Sequence, residues 1–181
     1  SAAASDVYKR QDPELVVQRA ALDCLLTWRD AWLVAHTEKL HALLEPAKFR
    51  DTLAQLDLSA SSEQWGSARP LTMQVILRLL YGMLVSRRGL RTSGAGQGAR
   101  RTAILAALFE CAPDELGLLA DLMLTSFADR LPEPRKQLGF LGLLGDVLEH
   151  LGKPLAPSMP RFVHVVIAIA ASAEPSDPTM R

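Results

Sequence analysis

The stretch that decides the fold is Ser67–Ser86, which reads SARPLTMQVILRLLYGMLVS. Leu71, Val75, Ile76, Leu79, Leu80 and Met83 recur at steps of three and four, the spacing of one buried helical face. Ser67 or Ala68 opens the helix. Pro70 sits in its first turn, where a missing N–H is tolerated. Nothing in this stretch alternates with the period of two that a half-buried strand requires.

Working outward, the same period recurs on both sides. Towards the N-terminus, Asp12-Pro13 starts a first helix, with Asp as N-cap and Pro in the first turn. Leu15, Leu22, Leu25 and Leu26 are its expected inner face, up to about Trp28. Arg29-Asp30 is a short turn. Leu33, Leu40, Leu43 and Leu44 form the next stripe, which stops at Glu45-Pro46 because a residue before Pro is pushed out of the α region. A short helix follows with Phe49, Leu53 and Leu56 inward, and Ser59–Ser67 is a polar connector.

Beyond Ser86, residues 87–101 read as a flexible, glycine-rich basic loop. A helix then carries Ile104, Leu105, Leu108 and Phe109. Ala112-Pro113-Asp114-Glu115 begins another, with two acids placed where the helix dipole favours them. It runs through Leu116, Leu119, Leu122 and Met123 to Phe127. Leu131-Pro132-Glu133-Pro134 is a stiff break. Leu138, Leu141, Leu144, Val147, Leu148 and Leu151 define the following helix, and Gly152 is placed for a left-handed cap. Gly139, Gly142 and Gly145 lie three apart on that helix. Each weakens it by roughly 1 kcal/mol relative to Ala, so close packing against a neighbour is the expected compensation. A last helix runs from about Pro160 to Ala173, although Val163, Val165, Val166 and Ile167 are β-branched.

The fold class read from this pattern is all-α: an α-solenoid of HEAT-like antiparallel helix pairs. Repeats of ~40–47 residues fit such pairs. The expected organisation is a lead-in or scar over residues 1–11, a helical repeat segment over 12–173 and a disordered tail over 174–181. Asp12-Pro13-Glu14, followed by Val17, Ala20, Ala21, Leu22 and Leu25, resembles the second helix of a HEAT repeat. The chain therefore reads as a fragment of something longer.

Composition narrows the function classes. The chain has 181 residues, 49% of them hydrophobic, which is globular composition. Lys plus Arg and Asp plus Glu number 20 each, so no global charge draws the chain to nucleic acid. The longest apolar run, Phe162–Ala173, is interrupted by His164 and falls short of the ~20 residues a bilayer needs. Residues 1–11 lack the apolar core of a signal peptide. Cys24 and Cys111 sit in apolar helical stretches with no Cys/His spacing, which suggests two buried thiols and no metal site.

Candidate chemistry is sparse. Gly94-Ala95-Gly96-Gln97-Gly98-Ala99 loosely fits a dinucleotide fingerprint, but a helix precedes it where a strand is required. Gly98-Ala99-Arg100-Arg101 lacks the Gly-Lys-Ser/Thr of a phosphate loop. His36 and His41 are five apart and do not share a helix face, and no carboxylate pairs with them at metal spacing. No G-x-S-x-G elbow supports a catalytic serine. Trp28, Trp32 and Trp65 read as packing residues near helix ends. No catalytic residue, cofactor or small-molecule substrate is expected. The one concentrated basic feature is Arg87, Arg88, Arg91, Arg100 and Arg101, with no acid between them. Arginines can hold phosphates bidentately, and without aromatic residues in the loop any RNA contact would follow the backbone.

Several segments together carry a family resemblance. They are Ala21-Leu22-Asp23-Cys24-Leu25-Leu26-Thr27-Trp28, Leu43-Leu44-Glu45, Phe49-Arg50-Asp51, Ile76 through Gly82, Arg100-Arg101-Thr102-Ala103-Ile104, and Glu115-Leu116 through Asp121-Leu122-Met123-Leu124. In this order they resemble the "down-regulated in metastasis" family of very large HEAT-repeat nucleolar proteins associated with U3 small nucleolar RNA. The resemblance covers roughly 12–173. It implies a non-catalytic scaffold of the small-subunit processome, acting in pre-rRNA processing and small ribosomal subunit assembly in the nucleolus or nucleus. The implied partners are processome proteins and pre-rRNA or U3 snoRNA, with no membrane and no cofactor. Two other classes stay open on the residues alone. One is an RNA-binding helical module that works through the arginine loop. The other is an unrelated helical-repeat adaptor in transport or trafficking.

Overall fold

A computed structural model describes residues 13–86 and 97–173. The expected lead-in over 1–11, the Asp12 cap, most of the basic loop and the tail over 174–181 lie outside the described residues. Among the described residues every regular element is a helix and none is a strand. The β-branched stretch at 163–167 lies inside a helix. The chain divides into two compact units, residues 1–111 and 112–181.

The first unit holds α1 (Pro13–Leu26), α2 (Ala31–Leu43), α3 (Phe49–Gln55), α4 (Arg69–Val85) and α5 (Gln97–Leu108). α1 packs on α2 and α4, α3 on α2 and α5, and α5 also on α4, as expected of helices stacked on near neighbours in sequence. The turn after α1 passes through Arg29 at φ 54°. Asp30 then caps α2, its carboxylate accepting the Trp32 and Leu33 amides at 2.9 and 3.3 Å. Leu33, Leu40, Leu43 and Leu44 are all buried, as are Phe49, Leu53 and Leu56.

α4 buries Thr72, Met73, Ile76, Leu77, Leu79, Leu80, Met83 and Leu84. This is a wider arc than the sequence stripe suggested, because the helix is covered from more than one side. Each such apolar side chain contributes roughly 1.5–3 kcal/mol when fully buried. Thr72 is accommodated by donating its hydroxyl to the Ala68 carbonyl at 2.8 Å. Leu71, expected inward, is exposed at the rim of the first turn.

The polar connector carries its own core residue. Trp65 is buried and donates its indole N–H to the Asp57 carbonyl at 2.8 Å. Arg69 reaches back to the Ser59 and Leu58 carbonyls, and the Ala60 amide bonds the Glu110 carbonyl at 2.9 Å. The Asp57 carboxylate accepts the Ser59 hydroxyl at 2.7 Å and its amide at 3.1 Å. These two bonds, then the Ser62 hydroxyl, hold its carboxyl below the ordinary 3.8.

The second unit holds α6 (Pro113–Leu124), α7 (Pro134–Leu151) and α8 (Met159–Ala173). Glu115 accepts the Ala112 amide at 3.1 Å and closes the start of α6. The buried stripe of α7 is Phe140, Leu143, Leu144, Val147 and Leu151, with Phe140 against Phe127 at 4.5 Å between centroids. Leu138 is off this stripe and 71% exposed, and Leu141 and Leu148 are only half-buried. A leucine-rich helix offers more than one apolar face, and packing selects the one that also carries Phe140.

The glycine expectations change as well. A Cβ at Gly142 or Gly145 would meet nothing within 4 Å, so no close neighbour within the described residues explains them. Gly152 has φ −53°, which is right-handed and not a left-handed cap. The chain continues in turns, with Leu155 N–H bonded to the Leu151 carbonyl at 3.0 Å. Phe109 is half exposed beyond the end of α5, Cys24 is exposed while Cys111 is buried, and Leu25 is turned outward from α1.

Two outcomes follow for stability. Leu151→Ala should cost about 2–5 kcal/mol in denaturant unfolding, whereas Leu138→Ala on the same helix should change it by no more than about 0.5 kcal/mol. Equal effects would mean that the face of α7 is misassigned. For Asp57, the folded carboxyl is depressed, so its stabilisation is complete above its unfolded value near 3.8 and is lost as pH falls through the lower folded value. Unfolding measured from pH 6 to pH 2, in steps of about one unit, should show wild type and Asp57→Ala converging in acid. A constant gap between them would contradict this assignment.

Candidate nucleic-acid interface

Of the five arginines singled out by sequence, Arg87, Arg88 and Arg91 lie outside the described residues. Arg100 and Arg101 fall in the first two turns of α5 and are held within the first unit. Arg100 is 8% exposed, with its guanidinium carbon 4.8 Å from the centroid of the Phe49 ring on α3. A guanidinium over a ring face in a desolvated setting is attracted by about 2 kcal/mol. Arg101 donates from Nη2 to the Leu84 carbonyl at 3.3 Å. That carbonyl belongs to the last turn of α4, where the negative end of the helix dipole favours a cation. Both arginines therefore join the start of α5 to neighbouring helices. The sequence held a signal for the first of them: Arg100, Ile104 and Leu108 share one face at steps of four, and Ile104 and Leu108 are fully buried.

The described aromatic residues do not extend this basic feature into a base-stacking surface. Trp32, His36 and Trp65 form a cluster on one another. The Trp32 and His36 rings stack at 5.0 Å, and Trp65 meets them at 6.1 and 5.2 Å. His36 Nδ1 lies 3.0 Å from the Trp32 carbonyl and donates to it. The step of four between Trp32 and His36 was visible in the sequence, but the third partner comes from a connector with no periodicity. Trp28, expected to pack, is instead 75% exposed just past the end of α1.

His41 gains a partner that sequence spacing does not show. Its Nε2 lies 3.1 Å from Asp23 Oδ1, joining α2 to α1. Among the described residues no group of three His, Cys, Asp or Glu side chains is placed to hold a metal ion, and no helix is long and apolar enough to cross a membrane. Of the Gly94–Ala99 stretch considered for nucleotide binding, residues 94–96 lie outside the described residues and residues 97–99 open α5.

Comparison with known proteins supplies what local geometry does not. The family model for the N-terminal part of U3 small nucleolar RNA-associated protein 20 matches residues 8–179. The chain is also 29% identical, over 181 aligned residues, to U3 small nucleolar RNA-associated protein 20 of Schizosaccharomyces pombe. That alignment takes in 86% of this chain but spans only 7% of the relative's length. The resemblance read from the ordered segments at Ala21–Trp28, Ile76–Gly82 and Glu115–Leu124 is thus met by a match over nearly the whole chain, which belongs to the family of U3 small nucleolar RNA-associated protein 20, N-terminal.

Proposed function

We propose that this chain is a non-catalytic scaffold segment of a nucleolar ribosome-biogenesis factor, acting in pre-rRNA processing and small ribosomal subunit assembly. Its partners on this reading are processome proteins and pre-rRNA or U3 snoRNA. Family membership supports the setting. The observation that carries the scaffold role is that helices α1 and α8 each carry exposed apolar residues away from their buried ones. On α1, Val17, Ala21, Cys24 and Leu25 are exposed on one side while Leu22 is buried on the other. Arg19 and Asp23 are confined to a flank, and Val17 is 67% exposed. On α8, Val163, Ile167, Ala170 and Ala171 face outward, opposite buried Phe162 and Ile169, and Ile167 is 63% exposed.

A helix with apolar residues beyond its buried face leaves them in water unless a neighbour covers them. In repeat proteins each unit buries its neighbour's face, and contiguous exposed apolar surface marks an interaction site. We assign the occupant of both faces to further helical repeats of the same polypeptide. The greater length of the yeast relative supports that choice.

The test substitutes Val17→Glu together with Ile167→Glu in the longest natural form of the protein. Helicity should be preserved, and stability should change by about 0.5 kcal/mol or less, because both sites are exposed. Recovery with U3-containing particles should fall, and precursor rRNA should accumulate. Normal recovery and processing in this variant would refute the scaffold assignment.

The arginine segment provides a separable outcome. If it contacts RNA, the contact follows the phosphate backbone. Replacing Arg87, Arg88 and Arg91 by Ser should then reduce the log–log salt slope of binding by about 0.7 per lost phosphate contact on single-stranded RNA, equally for every sequence. Arg100→Ser should instead lower stability by about 1–2 kcal/mol, since its guanidinium lies on Phe49. A salt slope left unchanged by the triple replacement would reduce the segment to a connector.

A further inference from the structure

Helix α1 is held differently from the rest of the first unit. Among its described side chains only Leu22 is buried, while Leu15, Gln18 and Leu26 are half-buried. α4 buries eight. Two of the ties that hold α1 in place are polar. Gln18 Nε2 donates to the Leu79 carbonyl of α4 at 3.0 Å, and Asp23 pairs with His41 of α2 at 3.1 Å. The second tie is partly exposed on both sides, and such pairs add little to stability. A Cβ at Gly82 would meet the Gln18 amide, so the bond to Leu79 and a side chain at position 82 compete for the same space. At its other end, α1 connects to α2 through Arg29 at φ 54°, a left-handed conformation uncommon for a residue with a Cβ. Such backbone states persist only where surrounding structure imposes them.

We infer that α1 is a strap that opens as a unit about Arg29 while α2 to α5 stay folded. Opening exposes one leucine, parts of two others and two polar ties. Unfolding the whole unit exposes in addition Ile76, Leu77, Leu80, Ile104 and Leu105, each at most 1% exposed in the closed state. The free-energy levels of local and global opening are therefore well separated. The opened strap uncovers the sides of α2 and α4 against which α1 packs. The inference does not depend on what covers the outer face of α1. If a further repeat does so, it binds the closed strap and shifts the equilibrium towards it.

Native-state hydrogen exchange of the 181-residue chain, followed by mass spectrometry at rising guanidinium concentration, tests this. Amides of residues 19–26 should exchange at least ~10-fold faster than those of 76–84, with a weaker denaturant dependence. Ile104→Val on α5, which stays packed when the strap opens, should speed exchange in 76–84 several-fold and leave 19–26 unchanged. The inference is overturned if both sets of amides follow one isotherm with one slope, or if Ile104→Val accelerates both alike. The Val17→Glu, Ile167→Glu variant lacks particle binding on the scaffold reading but should keep the same difference between the two helices, so the two proposals fail separately.

Discussion

The first unit depends on the burial of α4. Eight of its side chains are withdrawn from water, and the buried positions run in adjacent pairs: 72 and 73, 76 and 77, 79 and 80, 83 and 84. Such pairs cover an arc too wide for a single partner helix, so α4 must be enclosed by more than one. α1 and α5 do so, while α2 packs on α1 and α3 on α5. The connector before α4 is drawn into the same arrangement. Trp65 and Arg69 bond carbonyls of residues 57–59, so the polar stretch folds back instead of trailing away.

The number and type of helices were legible in the sequence because proline and acidic residues mark their starts. Pro70, Pro113 and Pro134 each sit in a first turn. The choice of inner face was less legible, and for one reason. α7 has leucines at 138, 141, 143, 144, 148 and 151, which serve two overlapping stripes. Phe140 and Val147 decide between them through volume, something that periodicity does not weigh. The same ambiguity turned Leu25 and Leu71 outward. Gly152 illustrates a different limit: a glycine after the last leucine fits a left-handed cap, but Leu155 and Phe162 are buried further on, and the chain stays right-handed to reach them.

The candidate site was read from charge, and charge alone does not distinguish a ligand contact from a helix tie. Arg100 and Arg87 look alike in a list of arginines. Placement four residues before Ile104 separates Arg100 from the others, because that register points inward. The His41–Asp23 pair and the place of Trp65 beside Trp32 and His36 were invisible for a plainer reason. They join residues separated by 18 and by more than 25 positions, and no local pattern encodes such meetings. What assigns the setting of the protein is the order of weakly specific segments along the whole chain.

The Arg101 bond to the Leu84 carbonyl has an evolutionary consequence. It fixes two points of the chain that lie 17 positions apart, one in the last turn of α4 and one in α5. The entropy of closing a chain segment between two such points grows only logarithmically, by about 0.6 kcal/mol for each doubling in length. A change in the number of residues joining the two helices therefore costs little beside one made within α4 or α5. Related chains can therefore vary this stretch in length and basic character while the clasp and the helices on either side keep their register.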